Sequence, residues 1–213
     1  MNSASLSGRL LLRQGRSGAL WMLIVGLAVA TAALSAVSLF TDRVGRALER
    51  QAGEVLAADV VVSDRAPLPD TFEAQARELR LDTSRMITLS TVLFAGEASA
   101  LFNVKAVSDG YPLRGSLKTA PALDAADRTV DDIPAPGAAW IAPAGLRALE
   151  IETGDTVLLG ERELTVERVL TYEPDRGGGP FELSPRLLVN LADLEGASLL
   201  GAGSRARYRL LAA

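Results

Sequence analysis

Residues 19–40, ALWMLIVGLAVATAALSAVSLF, carry no charge, and this run constrains the chain more than any other stretch. As an α-helix it would be about 33 Å long at ~1.5 Å per residue. That is close to the roughly 30 Å hydrocarbon core of a bilayer. A soluble helix of this length needs a polar stripe, and none recurs here at helical spacing. The run therefore reads as a transmembrane helix, with a short arm on one side and a large domain on the other. A cleaved signal peptide is the competing reading, because three arginines precede the run and Ala28-Val29-Ala30 has a small-x-small form. Apolar residues continue for ten positions past Ala30, beyond the ~7–15 residues usual for a signal core, and this favours an anchor.

Charge sets the expected topology. Residues 1–18 carry Arg9, Arg13 and Arg16 and no acid, a net +3; the whole chain is −4, which leaves −7 for residues 19–213. Positive flanks stay in the cytoplasm, so the arm is expected inside and the acidic domain outside. An acidic domain is a poor partner for nucleic acid. The chain has no cysteine and no histidine. Disulfides are therefore excluded within it, as are Ser-His-Asp and Cys-His catalytic sites. Lys105 and Lys118 are its only lysines, and neither has S-x-x-K spacing. No G-x-S-x-G elbow occurs. The glycines at 177–179 have no following lysine and are bracketed by prolines, so they make no phosphate loop. Glu173, Asp175 and Glu182 lack calcium-loop spacing. No catalytic, cofactor or metal site is expected.

The arm is compatible with a helix lying on the cytoplasmic face, arginines on lipid phosphates, and equally with a disordered topogenic tail. Within the apolar run Gly26, Ala30 and Ala33 share one helical face, beside Ala28, Ala32 and Ser35. Small faces let membrane helices approach closely, so this face is expected to pack on other helices; the alternative is a lone alanine-rich anchor. No proline occurs between Ala19 and Arg65, and Val44, Leu48, Val55 and Leu56 keep helical spacing. The helix should run on as a stalk to about Ala57. Beyond it the pattern predicts a strand at 59–63, a helix capped by Asp70 and reaching Leu79, and strands at 85–94 and 98–107 joined by a turn at 95–97. That β-α-β-β order opens a split α+β layer. Residues 116–137, with three prolines and four aspartates, read as irregular. Then come a short strand at 139–142, a helix from Pro143 to Leu149 and a hairpin at 156–159 and 163–170. An open loop at 174–185 follows, then a strand at 186–190, a helix at 191–200 and a strand at 205–211. The expected division is an arm at 1–18, a membrane helix at 19–40, a stalk and first α+β part at 41–110, an inserted β-rich subdomain at 111–185, and a return to the α+β part at 186–213. The chain stops directly after an apolar strand and reads as a piece of a longer protein.

Five stretches carry a resemblance: ALERQAGEVLAADVVVS at 47–63, NVKAVSDGYPLRGSL at 103–117, GDTVLLGERELTV at 154–166, YEPDRGGGPFELSPRLLVNLADL at 172–194 and GSRARYRLL at 203–211. With them the chain resembles the first membrane helix and extracytoplasmic domain of the FtsX/MacB-type ABC transporter permeases, in particular the YbbP-like branch. YPLRG and EPDRGGG…PR are the specific parts, and the rest is generic. The resemblance implies a MacB-like periplasmic domain, further membrane helices in the parent protein, a homodimer and a separate cytoplasmic ABC ATPase. It also implies a link to an esterase-like periplasmic partner and action on lipids or hydrophobic molecules, by transmission of force across the membrane more than by a channel. A single-pass anchored binding or scaffold domain is the alternative; an anchored hydrolase is disfavoured by the missing histidine.

Overall fold

The computed structural model describes residues 18–176, 184–201 and 204–213. Residues 1–50 and 51–213 form two compact units. Helix α1 spans Gly18–Leu56. By length and composition its segment Trp21–Val44 is able to cross a membrane, and the residues of that segment are exposed. Two hydroxyls inside it are satisfied locally: Thr31 Oγ1 donates to the Leu27 carbonyl (2.9 Å) and Thr41 Oγ1 to the Val37 carbonyl (3.0 Å). Such back-bonding leaves no orphan donor in hydrocarbon. The helix stops at Ala57, whose φ of 56° is left-handed, the usual way for a helix to end.

Among the described residues the second unit contains ten strands: β1 Val60–Asp64, β2 Thr83–Ala95, β3 Ala98–Val107, β4 Leu117–Ala120, β5 Arg128–Val130, β6 Ala138–Ile141, β7 Thr156–Leu159, β8 Arg162–Tyr172, β9 Arg186–Asn190 and β10 Arg207–Ala212. Three short helices join them: α2 Asp70–Glu78, α3 Pro143–Leu149 and α4 Leu191–Glu195. The sheet order is β1-β10-β2-β3-β9-β6-β8-β4-β5, and β7 pairs with both β2 and β8. Strands β2, β3, β9, β6, β8 and β7 therefore close on themselves.

Closure explains the core. Strand side chains alternate between faces, and in β6 and β9 both faces are covered, so these two strands read as nearly continuous apolar runs. In β9, Leu187 and Val189 join one cluster while Leu188 joins the other. In β6, Ala139 and Ile141 oppose Trp140 in the same way. The larger cluster takes Ile87, Leu89, Leu93, Phe102, Val104, Val157, Leu159, Leu164, Val166 and Val169, and all six ring strands contribute to it. α3 sits close on β3: a methyl group at Gly145 would lie 2.5 Å from Phe102 Cε1. The smaller cluster holds Ala57, Ala58, Met86, Val107, Tyr111, Leu117, Trp140, Leu170, Leu188 and Leu211.

Several expectations are corrected. Strands β6, β7 and β8, within residues 111–185, share the ring and the larger cluster with β2, β3 and β9. The first four elements follow the expected order, but β10 lies between β1 and β2 in the sheet. The stretch at 116–137 is not wholly irregular. β4 precedes Pro121 and β5 lies between Pro121 and Pro134, and β4 is recruited by β8 through Thr119↔Leu170 and Ala120↔Val169. Asp70 does not cap α2; Pro69 stands at the cap, and the Asp70 carboxylate pairs with Arg85. α4 ends at Glu195 rather than near residue 200. Two residues on, the Ala197 carbonyl accepts from Glu161 N (3.3 Å) in the β7–β8 turn, and Gly160 approaches so closely that a Cβ there would lie 2.2 Å from that oxygen.

Candidate coupling site

The residues following α1 are gripped by the YPLRG turn. Arg114 N donates to the Ala57 carbonyl (3.0 Å), and the Arg114 guanidinium takes both carboxylate oxygens of Asp59, at 3.0 Å from Nε and 2.6 Å from Nη2. Paired contacts of this kind fix orientation as well as distance. The pair is about half exposed, so its energetic worth is small.

The other end of the turn enters the interior. Tyr111 is 1% exposed and belongs to the cluster that holds Ala57 and Ala58. Its hydroxyl donates to Asp175 Oδ1 and accepts from Lys105 Nζ (3.2 Å). Lys105, on β3 and also 1% exposed, donates to Glu173 Oε2 and to Asp175 Oδ1, both at 2.6 Å. Arg186, at the start of β9, donates from Nε to Glu173 Oε1 (2.7 Å). Two cations thus face two carboxylates, with a tyrosine between them. Burial, and then the Asp175 and Glu173 carboxylates, push the Tyr111 phenol well above its ordinary range. The hydroxyl is therefore a fixed donor at neutral pH. Asp175 Oδ2 is buried and makes no hydrogen bond.

Such an arrangement can hold and orient the segments that meet in it. The oxygens of Glu173 and Oδ1 of Asp175 are committed to cations and to the phenol. Among the described residues no group of three or more acids is placed to bind a metal ion.

The sequence-derived site residues fall elsewhere. Gly26, Ala30 and Ala33 lie in α1 and are exposed. Arg9, Arg13 and Arg16, and the glycines at 177–179, lie outside the described residues. The 173–176 stretch is not simply the open start of a loop: Glu173 is buried, and Asp175 is bonded into the interior. Sequence reasoning missed Lys105, Glu173, Asp175 and Arg186 as a group. The available signal was Lys105 itself, a charge inside FNVKAV with apolar neighbours on both sides. A lysine at such a position needs carboxylates from elsewhere in the chain.

Over 198 residues, 92% of the chain, the sequence is 33% identical to the uncharacterized ABC transporter permease YbbP of Escherichia coli K12. The chain is similar to an ABC transporter permease along nearly its whole length. It spans 24% of the length of that relative. Among solved structures it is similar to the periplasmic region of MacB from Actinobacillus actinomycetemcomitans, with a TM-score of 0.44 and 13% identity over 74% of this chain and 77% of that one. No family model matches the chain. The expected resemblance to the YbbP-like permeases is borne out. The two motifs singled out for it, YPLRG and EPDRGGG…PR, are those that meet at Tyr111, Glu173, Asp175 and Arg186.

Proposed function

We propose that the chain is part of the permease subunit of an ABC-type complex and relays motion driven by a cytoplasmic ATPase to the far side of the membrane. The observation that carries this is the similarity to an ABC transporter permease over 92% of the chain. In this reading α1 crosses the inner membrane with Arg9, Arg13 and Arg16 inside. The acidic domain is periplasmic, by the +3 against −7 asymmetry. Gly26, Ala30 and Ala33 face other membrane helices, and the full-length subunit pairs with a second copy. Lipids or other hydrophobic molecules are the cargo, and an esterase-like periplasmic enzyme is a further partner. The chain itself works by moving, with no chemistry of its own. Its driving energy comes from the nucleotide-binding partner, because only a ligand with different affinity for two states can shift them.

The test is to purify the full-length permease with its ATPase and measure hydrolysis, with a topology reporter fused after Ala120 in parallel. Stimulated hydrolysis and a periplasmic reporter are expected. An ATPase that neither binds the permease nor responds to it would leave a single-pass anchored scaffold. A reporter active in the cytoplasm would reverse the orientation.

A further inference from the structure

We propose that the YPLRG turn is a strap tying the chain that leaves α1 to the Glu173–Asp175 segment, so that displacement of one displaces the other. The mechanical link stands on the fold; its use in transmission rests on the permease reading above. At one end Arg114 holds Ala57 O and Asp59. At the other, three positions earlier, Tyr111 holds Asp175 and Lys105. Three residues span at most about 10 Å when extended, and Pro112 removes one backbone freedom. The link therefore has little slack. Its two ends also differ in strength. The Arg114–Asp59 clasp has side chains 47% and 53% exposed, a weak pairing that opens without unfolding anything. The Tyr111 end lies among buried charges, where breaking contacts is costly. Opening of the soft end would leave the firm end with the sheet.

Because the chain has no cysteine, Arg176→Cys gives a single attachment point for a nitroxide label beside Asp175. The full 213-residue chain is reconstituted in nanodiscs without nucleotide or partner. Label mobility is then compared in the parent and in D59A, R114A, D59A/R114A, Y111F and R77A. R77A removes a surface pair on α2 and serves as control. D59A and R114A should each raise rotational mobility about twofold on the nanosecond scale, Y111F at least as much, and the double variant no more than either single one. Burial of Trp140, read by fluorescence, shows that each variant is folded. Label mobility in R114A equal to that in R77A would overturn the strap, whatever Y111F does. Because no ATPase is present, this result is independent of the hydrolysis assay on which the permease reading depends.

Discussion

Lys105 is a buried charge with three polar partners. One ammonium group joins Tyr111 to Glu173 and Asp175, from two separate parts of the chain. Replacing it by methionine leaves two buried carboxylates with fewer cations. Stranding a buried charge costs about 3–5 kcal/mol. K105M is therefore expected to lower the unfolding free energy by that order in a denaturant titration followed by tryptophan fluorescence, and an effect below about 1 kcal/mol would mean that water reaches the cluster. Tyr111 adds a pH dependence. Its phenol is raised in the folded protein above the ~10 of the unfolded chain. Above pH ~10 the unfolded state loses a proton that the folded state keeps, so stability is fully present below that pH and falls as pH rises towards the folded value. The slope contributed by one such group is up to about 1.4 kcal/mol per pH unit. Y111F should be less stable at neutral pH, where the hydroxyl's bonds are lost, and its stability should decline less steeply above pH 10. An alkaline limb identical to that of the parent would show that Tyr111 is not the group responsible.

The elements were legible in the sequence where local pattern decides them and illegible where the rest of the fold does. Helix α1 followed from an uncharged run and the absence of proline up to Arg65, and its end at Leu56 lies within a residue of the expected stop. The β2–β3 hairpin and α3 followed from Gly96, Pro143 and alternating residues. β4 and β5 did not, because strands of four and three residues between prolines carry no period of their own and exist by pairing with β8 and with each other. α4 is shorter than its apolar pattern suggests because Ala197 N turns back to the Leu194 carbonyl (3.2 Å) and Ser198 takes a left-handed φ of 56°. The polar site was legible as two motifs, YPLRG and EPDRGGG, but not as one cluster, since the partners lie about 60–70 positions apart and come together only through the β3–β9 and β4–β8 pairings. One element-scale expectation concerns α1. A Cβ at Gly26 would meet nothing, and Ala30 and Ala33 are exposed in the chain by itself. If this face packs on other membrane helices in the full-length permease, the double substitution Ala30→Leu/Ala33→Leu adds bulk at the seam. It should impair assembly with the ATPase while Trp140 fluorescence still reports a folded outer domain. Unchanged assembly would mean that this face meets only lipid.

For the molecule as a whole, the account joins a helix able to cross a membrane, a closed strand ring with a core on each sheet face, and a short turn that grips both the helix exit and a buried ion cluster. The shared core resists internal sliding, because all six ring strands supply it. Movement is then expected to pass through the Asp59–Arg114 clasp, with little deformation of the sheet. The central claim is that events at a cytoplasmic ATPase reach this domain. The most direct measurement places the nitroxide at Arg176→Cys in the full-length permease, assembled with its ATPase in nanodiscs, and compares spectra with ATP trapped and with ADP. The account predicts two distinguishable spectra whose difference disappears in R114A. Identical spectra in the two nucleotide states, from a complex that hydrolyses ATP, would contradict it.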